Sequence, residues 1–379
     1  MIERGEYAPG IAKEAPGAMF GSGPVGGFLA DRMGAHPHRP KVIAFDMGRR
    51  ALGLQSRRMV TSNARRTVWI IVGLLAAALS GLTAASYRRD SSHAIDRVST
   101  GSQIAETRCG PIEYAVAGEG APLLVVHGAG GGYDQGLEFG EPLIRSGFRV
   151  IAMSRFGYLR TPLPSDASPA VQADAYACLL DALNVTEVAL AGVSAGGPSS
   201  MQFALRHPER ITALVLVVPA AYVPRSDEET PTDTARGPLL FFDTALKSDF
   251  LFWAAIKLAP GTATRTILGT PQTVVENAVA AEQARVQQTL DHILPVSLRR
   301  QGLLNDAAVV SSLPRFELEK ITTPTLVIGA ADCLYGTFDG ARYTAAHIPG
   351  ARFVGYPSGG HLLVGHQEAV TSEIVAFLR

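Results

Sequence analysis

The stretch from Glu187 to Gly197 constrains the fold of this chain more than any other. It reads Glu-Val-Ala-Leu-Ala-Gly-Val-Ser-Ala-Gly-Gly, so an apolar run typical of a strand ends on Gly-x-Ser-x-Gly and opens into a helical pattern. Gly192 and Gly196 flank Ser194, because a turn this sharp leaves no space for side chains beside its apex. The stretch predicts a strained strand-to-helix turn with Ser194 at its apex.

The order of elements around this turn predicts the fold class. From the third strand-like run onward, strands alternate with helical segments, which is typical of a mostly parallel sheet covered by helices on both faces. The sequence therefore predicts an α/β fold with an eight-stranded sheet. The eight runs are Ile104 to Arg108, Ile112 to Ala117, Leu123 to Val126, Arg149 to Met153, Val188 to Ala191, Ala213 to Val218, Thr325 to Ile328 and Arg352 to Tyr356.

About a hundred residues, 219–324, separate the sixth and seventh strand-like runs, which is far too many for a loop. Leu246, Phe250 and Trp253 recur at helical spacing, and a second helical pattern covers Gln272 to Ile293. We therefore expect a helical layer inserted between strands six and seven, within a domain that covers residues 104–379.

Two residues downstream of Ser194 are suited to activating its hydroxyl. His361 follows the strand-like residues 351–356, so it is the expected general base, and Asp332 ends the run that starts at Thr325 and is the expected carboxylate that orients the histidine. Asp339 and Asp227 are alternative carboxylates. The competing interpretations are that Ser194 is an ordinary helix N-cap and that His361 is a loop residue without a catalytic role.

A glycine-rich loop follows the third strand-like run. His127 and Gly128 close residues 122–126 and lead into Ala129-Gly-Gly-Gly, where small side chains leave backbone N–H groups accessible. Such groups can stabilise an oxyanion, so the loop is the expected oxyanion loop. His127 itself is expected to fix the loop by hydrogen bonds.

These motifs together resemble the α/β-hydrolase fold superfamily over about residues 106–379. The resemblance rests on His127-Gly128, Ser154-Arg-Phe-Gly-Tyr, Gly192-Val-Ser-Ala-Gly-Gly-Pro, His207-Pro-Glu-Arg-Ile, the run from Pro324 to Asp332, and Gly359-Gly-His361. It implies that Ala195 and Ala129 supply the oxyanion N–H groups, with Gly130 as the alternative to Ala129. It also implies that the insertion caps the active site. Leu159-Arg-Thr departs from the small residue and serine that many relatives carry there, so no subfamily's substrate is transferred.

The resemblance implies a serine hydrolase that needs no cofactor or metal and cleaves an ester-type bond of a small apolar substrate. Hydrolysis of a carbon–carbon bond and perhydrolysis are alternatives on the same residues, and a ligand-binding receptor without turnover is the alternative of another class. Most aromatic side chains of the insertion are expected to pack against the main domain, and some of them to line an apolar pocket. Two arginines are candidates for anchoring a substrate carboxylate, with solvated surface positions as the alternative. The aromatic residues and the two arginines are Phe241, Phe242, Phe250, Phe252, Trp253, Arg299 and Arg300.

An uncharged apolar run from Thr67 to Tyr87 precedes the predicted domain. As a helix it would extend for roughly 30 Å, which is enough to cross a bilayer. Arg57, Arg58, Arg65 and Arg66 lie before it, so the positive-inside rule places the predicted hydrolase outside the cytoplasm. The run is therefore a membrane anchor or a cleaved export signal. The sequence does not separate the two.

Residues 1–58 are rich in glycine, proline and alanine and show little periodicity, so we expect a disordered segment or a mis-annotated extension, with Met59 as the natural start. The 34 basic and 34 acidic residues of the chain cancel, and this balance gives no indication of a nucleic-acid partner. Cys109, Cys178 and Cys333 show no spacing typical of a metal site, and we expect no function for them.

Overall fold

The computed structural model describes the backbone of residues 48–224 and 246–379 and the side chains of residues 63–224 and 246–379. It divides into two units, residues 1–72 and residues 73–379. The described part of the first unit is the beginning of helix α1, which starts at Gly48, inside the segment predicted as an extension. Residues 1–47 of that segment lie outside the described residues, as do Asp227, Phe241 and Phe242.

The second unit contains the predicted eight-stranded sheet, and the predicted fold class is confirmed. The strands are β1 (Gln103–Thr107), β2 (Gly110–Ala117), β3 (Ala121–Val126), β4 (Phe148–Met153), β5 (Val188–Val193), β6 (Ile211–Val217), β7 (Thr325–Ala330) and β8 (Arg352–Tyr356). Their spatial order is β1-β2-β4-β3-β5-β6-β7-β8. Strand β2 pairs antiparallel with β1 and β4, whereas the pairs from β4 to β8 are parallel.

Helices cover both faces of this sheet, because the central strands carry apolar side chains toward both sides. Helices α3 (Pro169–Ala182), α4 (Gly197–Arg206) and α10 (Thr337–His347) pack on one face. Helices α2 (Tyr133–Arg145) and α11 (Gln367–Leu378) pack on the other. Helix α3 begins as its sequence indicates, since Ser168 caps it by accepting the N–H of Val171 and Pro169 occupies its first position.

The insertion between β6 and β7 is helical, as expected, and we call its described helices the cap. They are α5 (Asp249–Leu258), α6 (Pro260–Ile267), α7 (Gln272–Glu276), α8 (Ala280–Asp291) and α9 (Arg300–Ser311). The predicted helix from Gln272 to Ile293 is therefore broken into α7 and α8. Gln283 explains how the break is tolerated: its side-chain amide donates to the carbonyl groups of Glu276 and Ala278, which lie at the break.

Helix α1 extends to Ser99, and its last part packs against the cap. The ring of Tyr87 contacts those of Phe250 and Trp253 at centroid distances of 5.1 and 5.5 Å. The indole N–H of Trp253 donates to Asp90 at 3.0 Å. These two aromatic residues belong to the set of which some were expected to line a substrate pocket, and in the structure they hold the cap against α1.

Cys109 and Cys178 form a disulfide, which corrects the expectation that the cysteines have no function. The bond joins the turn between β1 and β2 to helix α3 and closes a loop with a sequence separation of 69. Cys333 is the free cysteine and is buried.

Candidate active site

Ser194 lies directly after β5 at the start of the helical segment, with a φ of 51°. Few residues other than glycine adopt this left-handed backbone conformation. Glycine is required at the two positions that flank Ser194, because other atoms lie where a Cβ would be. A Cβ at Gly192 would lie 2.3 Å from Oγ of Ser200, and one at Gly196 would lie 2.7 Å from the carbonyl oxygen of Val126. The predicted turn is therefore present, and it places the half-buried Ser194 at the carboxyl edge of the sheet.

His361 lies on the loop after β8 and meets Ser194. Its Nε2 atom is 2.8 Å from Oγ of Ser194, which is hydrogen-bonding distance. The imidazole is buried, and this burial lowers its pKa to about 4. The ring is therefore neutral at neutral pH, so Nε2 is able to accept the serine proton.

Asp332 follows β7, and in the described part of the chain no hydrogen bond joins its carboxylate to the imidazole ring. Its carboxylate accepts the backbone N–H groups of Gly359 and Gly360, at 3.2 and 2.8 Å. The atom that approaches Nδ1 of His361 is Sγ of Cys333, at 3.3 Å. Asp332 thus fixes the two residues before His361, and its expected role in orienting the imidazole stays a prediction.

The alternative carboxylates are less well placed. Asp339 lies in the first turn of α10, is 65% exposed and pairs with Arg342 at 3.2 Å. No hydrogen bond joins Asp339 to His361 in the described part of the chain. Asp227 lies outside the described residues.

The glycine-rich loop after β3 lies beside Ser194. Gly130, the alternative oxyanion donor, gives its N–H to the hydroxyl of Tyr158 at 3.3 Å. Ala129 has no such acceptor in the described loops. Ala195 lies in the first turn after Ser194, where backbone N–H groups lack intrahelical partners. The geometry favours Ala129 and Ala195 as oxyanion donors, and that assignment stays a prediction.

His127 supports the loop, as its position suggested. Its Nε2 accepts the backbone N–H of Arg155 at 2.9 Å, so Nδ1 carries the proton and donates to the carbonyl oxygen of Gly128 at 2.7 Å. Burial and the nearby Arg155 guanidinium hold the pKa of His127 well below its usual range. It is a neutral structural histidine.

A buried ion pair beneath the loop connects the sheet domain with the cap. Nη1 and Nη2 of Arg155 donate to the carboxylate of Asp306 in α9, at 2.7 and 2.6 Å. The hydroxyl of Tyr158 donates to the same carboxylate. Tyr158 therefore links this pair to the N–H of Gly130. The Ser154-Arg-Phe-Gly-Tyr motif was the single indication of these contacts before the structure.

Arg299 was a candidate for anchoring a substrate carboxylate, with a solvated surface position as the alternative, and the structure instead engages it inside the protein. Its side chain is fully buried. It donates to the carboxylate of Asp134 at 2.7 Å and to the carbonyl oxygen of Gly131. The suggestion for Arg300 stays a prediction.

Several residues near His361 were not identified from the sequence as part of the site. The ring of Tyr335 contacts the imidazole at a centroid distance of 4.9 Å. In the loop between α6 and α7, the carbonyl of Gly269 accepts the N–H of His361 and the hydroxyl of Thr270 accepts that of Leu362. The only signal for Cys333 was its position next to Asp332. In residues 63–224 and 246–379, no three His, Cys, Asp or Glu side chains are grouped so that they could hold a metal ion.

Comparison with known proteins agrees with this architecture. The family model for the alpha/beta hydrolase fold matches residues 121–365. The uncharacterized hydrolase YcgS of Bacillus subtilis (strain 168) is 29% identical over 275 residues, which are 70% of this chain and 94% of that protein. A 2-hydroxy-6-oxononadienedioate/2-hydroxy-6-oxononatrienedioate hydrolase of Paraburkholderia xenovorans (strain LB400) is 36% identical over 128 residues, 31% of this chain and 44% of that protein.

Among solved structures, an alpha/beta hydrolase fold protein from Nakamurella multipartita has a TM-score of 0.59 and 30% sequence identity. The match covers 73% of this chain and 98% of that one. The matched residues include β3 to β8, the glycine-rich loop, the turn at Ser194 and the loop that carries His361. The chain belongs to the α/β-hydrolase fold family and is a hydrolase.

Proposed function

We propose that this protein is a serine hydrolase that cleaves an ester-type bond through an acyl-enzyme intermediate. The observation that carries the proposal is the 2.8 Å distance between Oγ of Ser194 and Nε2 of His361, with Ser194 held at positive φ on a sharp turn. A serine hydroxyl is a weak nucleophile until a base accepts its proton, and a neutral buried imidazole at hydrogen-bonding distance is such a base.

In the proposed reaction, Oγ of Ser194 attacks the substrate carbonyl while its proton moves to Nε2 of His361. The N–H groups of Ala129 and Ala195 stabilise the oxyanion. His361 then gives its proton to the leaving alcohol, and the acyl group stays on Ser194. A water molecule attacks the acyl carbonyl while His361 accepts its proton, and the acid leaves as that proton returns to Oγ of Ser194. Asp332 holds the loop at Gly359 and Gly360, so that Nε2 stays directed at Ser194. The reaction needs no cofactor.

An apolar acyl group suits the described surroundings of the oxyanion loop. The side chain of Ile293, from the segment after α8, lies over Gly130, since a Cβ at that glycine would be 3.5 Å from it. Leu159 lies against Gly132 in the same loop, since a Cβ at that glycine would be 2.5 Å from its Cδ1. Apolar side chains close to the reacting carbonyl favour a small apolar ester over a charged one.

We further propose that the protein is anchored in a membrane, or exported, with the hydrolase outside the cytoplasm. Helix α1 is long and apolar enough to cross a bilayer within Asn63–Ser99, where its most apolar window has a mean hydropathy of 2.1 and is not buried. The arginines before the apolar run support this orientation. The disulfide between Cys109 and Cys178 also supports it, because such bonds persist mainly outside the cytoplasm.

Carbon–carbon bond hydrolysis is the second candidate, because several relatives are named as hydrolases of 2-hydroxy-6-oxo dienoate compounds. The same serine and histidine would serve that reaction. The fully buried Arg299, engaged by Asp134, is not available for the substrate carboxylate of such a compound. The ester reaction is therefore the preferred proposal.

A fluorophosphonate probe and short and medium acyl p-nitrophenyl esters test the proposal together. The wild-type protein should be labelled by the probe and should turn over an ester repeatedly, and Ser194→Ala should do neither. Ser312→Ala, at the exposed end of α9, is the matched control and should behave as wild type. Labelling without turnover of esters or dienoate diketones would favour the receptor. Near-native turnover by Ser194→Ala would overturn the mechanism.

A further inference from the structure

Arg97, in the last turn of α1, connects three parts of the molecule. Its Nε donates to the carboxylate of Asp134 at 3.2 Å. Its Nη2 donates to the carbonyl oxygens of His292 and Leu294, in the segment that follows α8. One guanidinium group therefore ties helix α1 to both the cap and the start of α2.

Asp134 carries this connection to the oxyanion loop. It lies in the first turn of α2, two residues after the glycine-rich loop ends at Gly132. Burial alone would raise the pKa of Asp134, but the guanidinium groups of Arg299 and Arg97 outweigh it and lower the pKa to about 2. Arg299 in turn donates to the carbonyl oxygen of Gly131. The sequence of contacts from α1 to the loop is thus Arg97, Asp134, Arg299 and Gly131.

A second contact reinforces the first at the same place. The hydroxyl of Tyr133, next to Asp134, donates to the carbonyl oxygens of Arg97 and Thr100. The backbone N–H of Tyr133 donates to Ser154 Oγ at 3.1 Å. The start of α2 is therefore held between the end of α1 and the sheet domain.

We propose that Arg97 is a positioning residue for the oxyanion loop. Helix α1 then helps to set the geometry of the active site in addition to anchoring the protein. The inference rests on the proposed serine mechanism. Without Arg97, Asp134 keeps one of its two guanidinium partners, and two cap carbonyl groups lose their donor. Arg299 is then less firmly oriented, and the loop that it holds at Gly131 loses its fixed distance from Ser194.

The expected effect falls on the transition state. Oxyanion donors act where charge develops, so a displaced Ala129 N–H weakens transition-state binding more than substrate binding. We expect Arg97→Ala to lower kcat about tenfold or more and to leave KM within about twofold, because removal of an oxyanion donor outright costs roughly 10²-fold to 10³-fold. A general loss of cap packing would change KM as well.

The experiment compares Arg97→Ala and Arg97→Lys with Arg145→Ala in the full-length chain. Arg145 is the matched control, because it pairs with Glu141 on the exposed far end of the same helix α2. The measurements are the second-order rate of fluorophosphonate labelling, kcat and KM for a p-nitrophenyl ester, and near-UV circular dichroism. We expect Arg97→Ala to be labelled at least about tenfold more slowly than wild type, and Arg97→Lys at least about threefold more slowly. Both variants should have native spectra. Arg145→Ala should equal wild type.

Chemical rescue separates positioning from general stability. Free guanidinium at low millimolar concentration should restore part of the labelling rate of Arg97→Ala and leave Arg145→Ala unchanged. If Arg97→Ala is unfolded at the assay temperature, Arg97→Lys and Arg97→Gln take its place. Labelling within twofold of the control by a folded Arg97 variant, or equal changes in kcat and KM, would overturn the inference. Failure of the wild-type protein to label would instead overturn the proposed function.

Discussion

Sγ of Cys333 lies 3.3 Å from Nδ1 of His361. The imidazole accepts from Ser194 at Nε2, so its neutral form carries the proton on Nδ1 and directs it at the thiol. The hydroxyl of Thr337 donates to the same sulfur at 3.2 Å. Sulfur is a weak acceptor, and it gives the imidazolium much less stabilisation than a carboxylate would. Asp332, the residue before Cys333, instead accepts the backbone N–H groups of Gly359 and Gly360 in the loop that carries His361.

The first prediction ranks these two residues. Asp332→Asn should lower kcat by at least about 10²-fold, up to the roughly 10⁴-fold that the loss of a triad carboxylate costs, because it weakens the hydrogen bonds to Gly359 and Gly360. Cys333→Ala should lower kcat less than about tenfold, since it removes only a weak acceptor. Asp339→Asn, exposed on α10, is the control. Steady-state kinetics on one ester measures all three, and a larger effect for Cys333→Ala would assign the orienting role to the thiol.

The second prediction concerns pH. Burial lowers the pKa of His361 to about 4, and only the neutral imidazole accepts the serine proton. The acidic limb of kcat/KM should therefore lie near pH 4, with the rate lost below it as His361 becomes protonated and constant from about pH 5 to 8. A buffer series with a p-nitrophenyl ester measures the limb. A limb near pH 6.5 to 7 would contradict the arrangement and would indicate a carboxylate on Nδ1 in solution.

The third prediction tests the turn at Ser194. Gly196→Ala would place a methyl group 2.7 Å from the backbone oxygen of Val126, which cannot move away as a side chain would. We expect a loss of about 1–3 kcal/mol in the free energy of unfolding and a large loss of kcat, since the turn carries the nucleophile. Gly81→Ala in α1, where nothing lies within 4 Å, should keep native activity. Thermal unfolding and ester kinetics measure both, and a fully active Gly196→Ala would refute the close approach.

The fourth prediction concerns the disulfide. Alkylation of the unreduced, denatured protein should modify Cys333 alone, and reduction should expose Cys109 and Cys178 as well. Mass spectrometry counts the modified thiols. Cys109→Ser together with Cys178→Ser should cost about 2–4 kcal/mol of stability and should leave the kinetics unchanged, because the bond lies away from Ser194. Three reactive thiols in the unreduced protein from its native compartment would argue against an extracytoplasmic domain.

The fifth prediction concerns the apolar helix. Expressed in a bacterium from Met59, the chain should stay with membranes after salt and carbonate washing, and a reporter after Arg379 should be active only on the periplasmic side. A chain that begins at Ser91 should be soluble and active, because it keeps Arg97, but less stable, because it lacks Tyr87 and Asp90 and their contacts with Trp253. A shortened periplasmic product would show a cleaved signal, and full-length protein in the cytosol would refute both membrane proposals.

Much of the fold was predictable because it rests on local patterns. Each strand of the sheet is a short apolar run, and β8 has the boundaries that the sequence indicates. The positions of Ser194 and His361 follow from where such runs end. Their 2.8 Å approach follows from the parallel order of the strands, which brings the carboxyl ends to one edge.

The rest depends on contacts that no local pattern encodes. Arg97 and Asp134 pair although they are 37 positions apart in the sequence. The apolar run within α1 gives no indication that the last turns of this helix are part of the hydrolase. The interruption between α7 and α8 is accommodated by Gln283, whose amide donates to the carbonyl groups of Glu276 and Ala278. The choice between Asp332 and Cys333 at Nδ1 depends on side-chain direction, which is set by the packed neighbours of both residues.

The ion pair of Arg155 with Asp306 fixes helix α9 of the cap on the sheet domain. Lifting α9 would expose or separate two buried charges, which costs about 3–5 kcal/mol, and would also break the backbone hydrogen bond from Gly302 to Gly157. Helix α9 is therefore held on the sheet domain by both a side-chain and a backbone contact. When the cap moves to admit a substrate, α9 should therefore be the last of its described helices to leave the sheet domain.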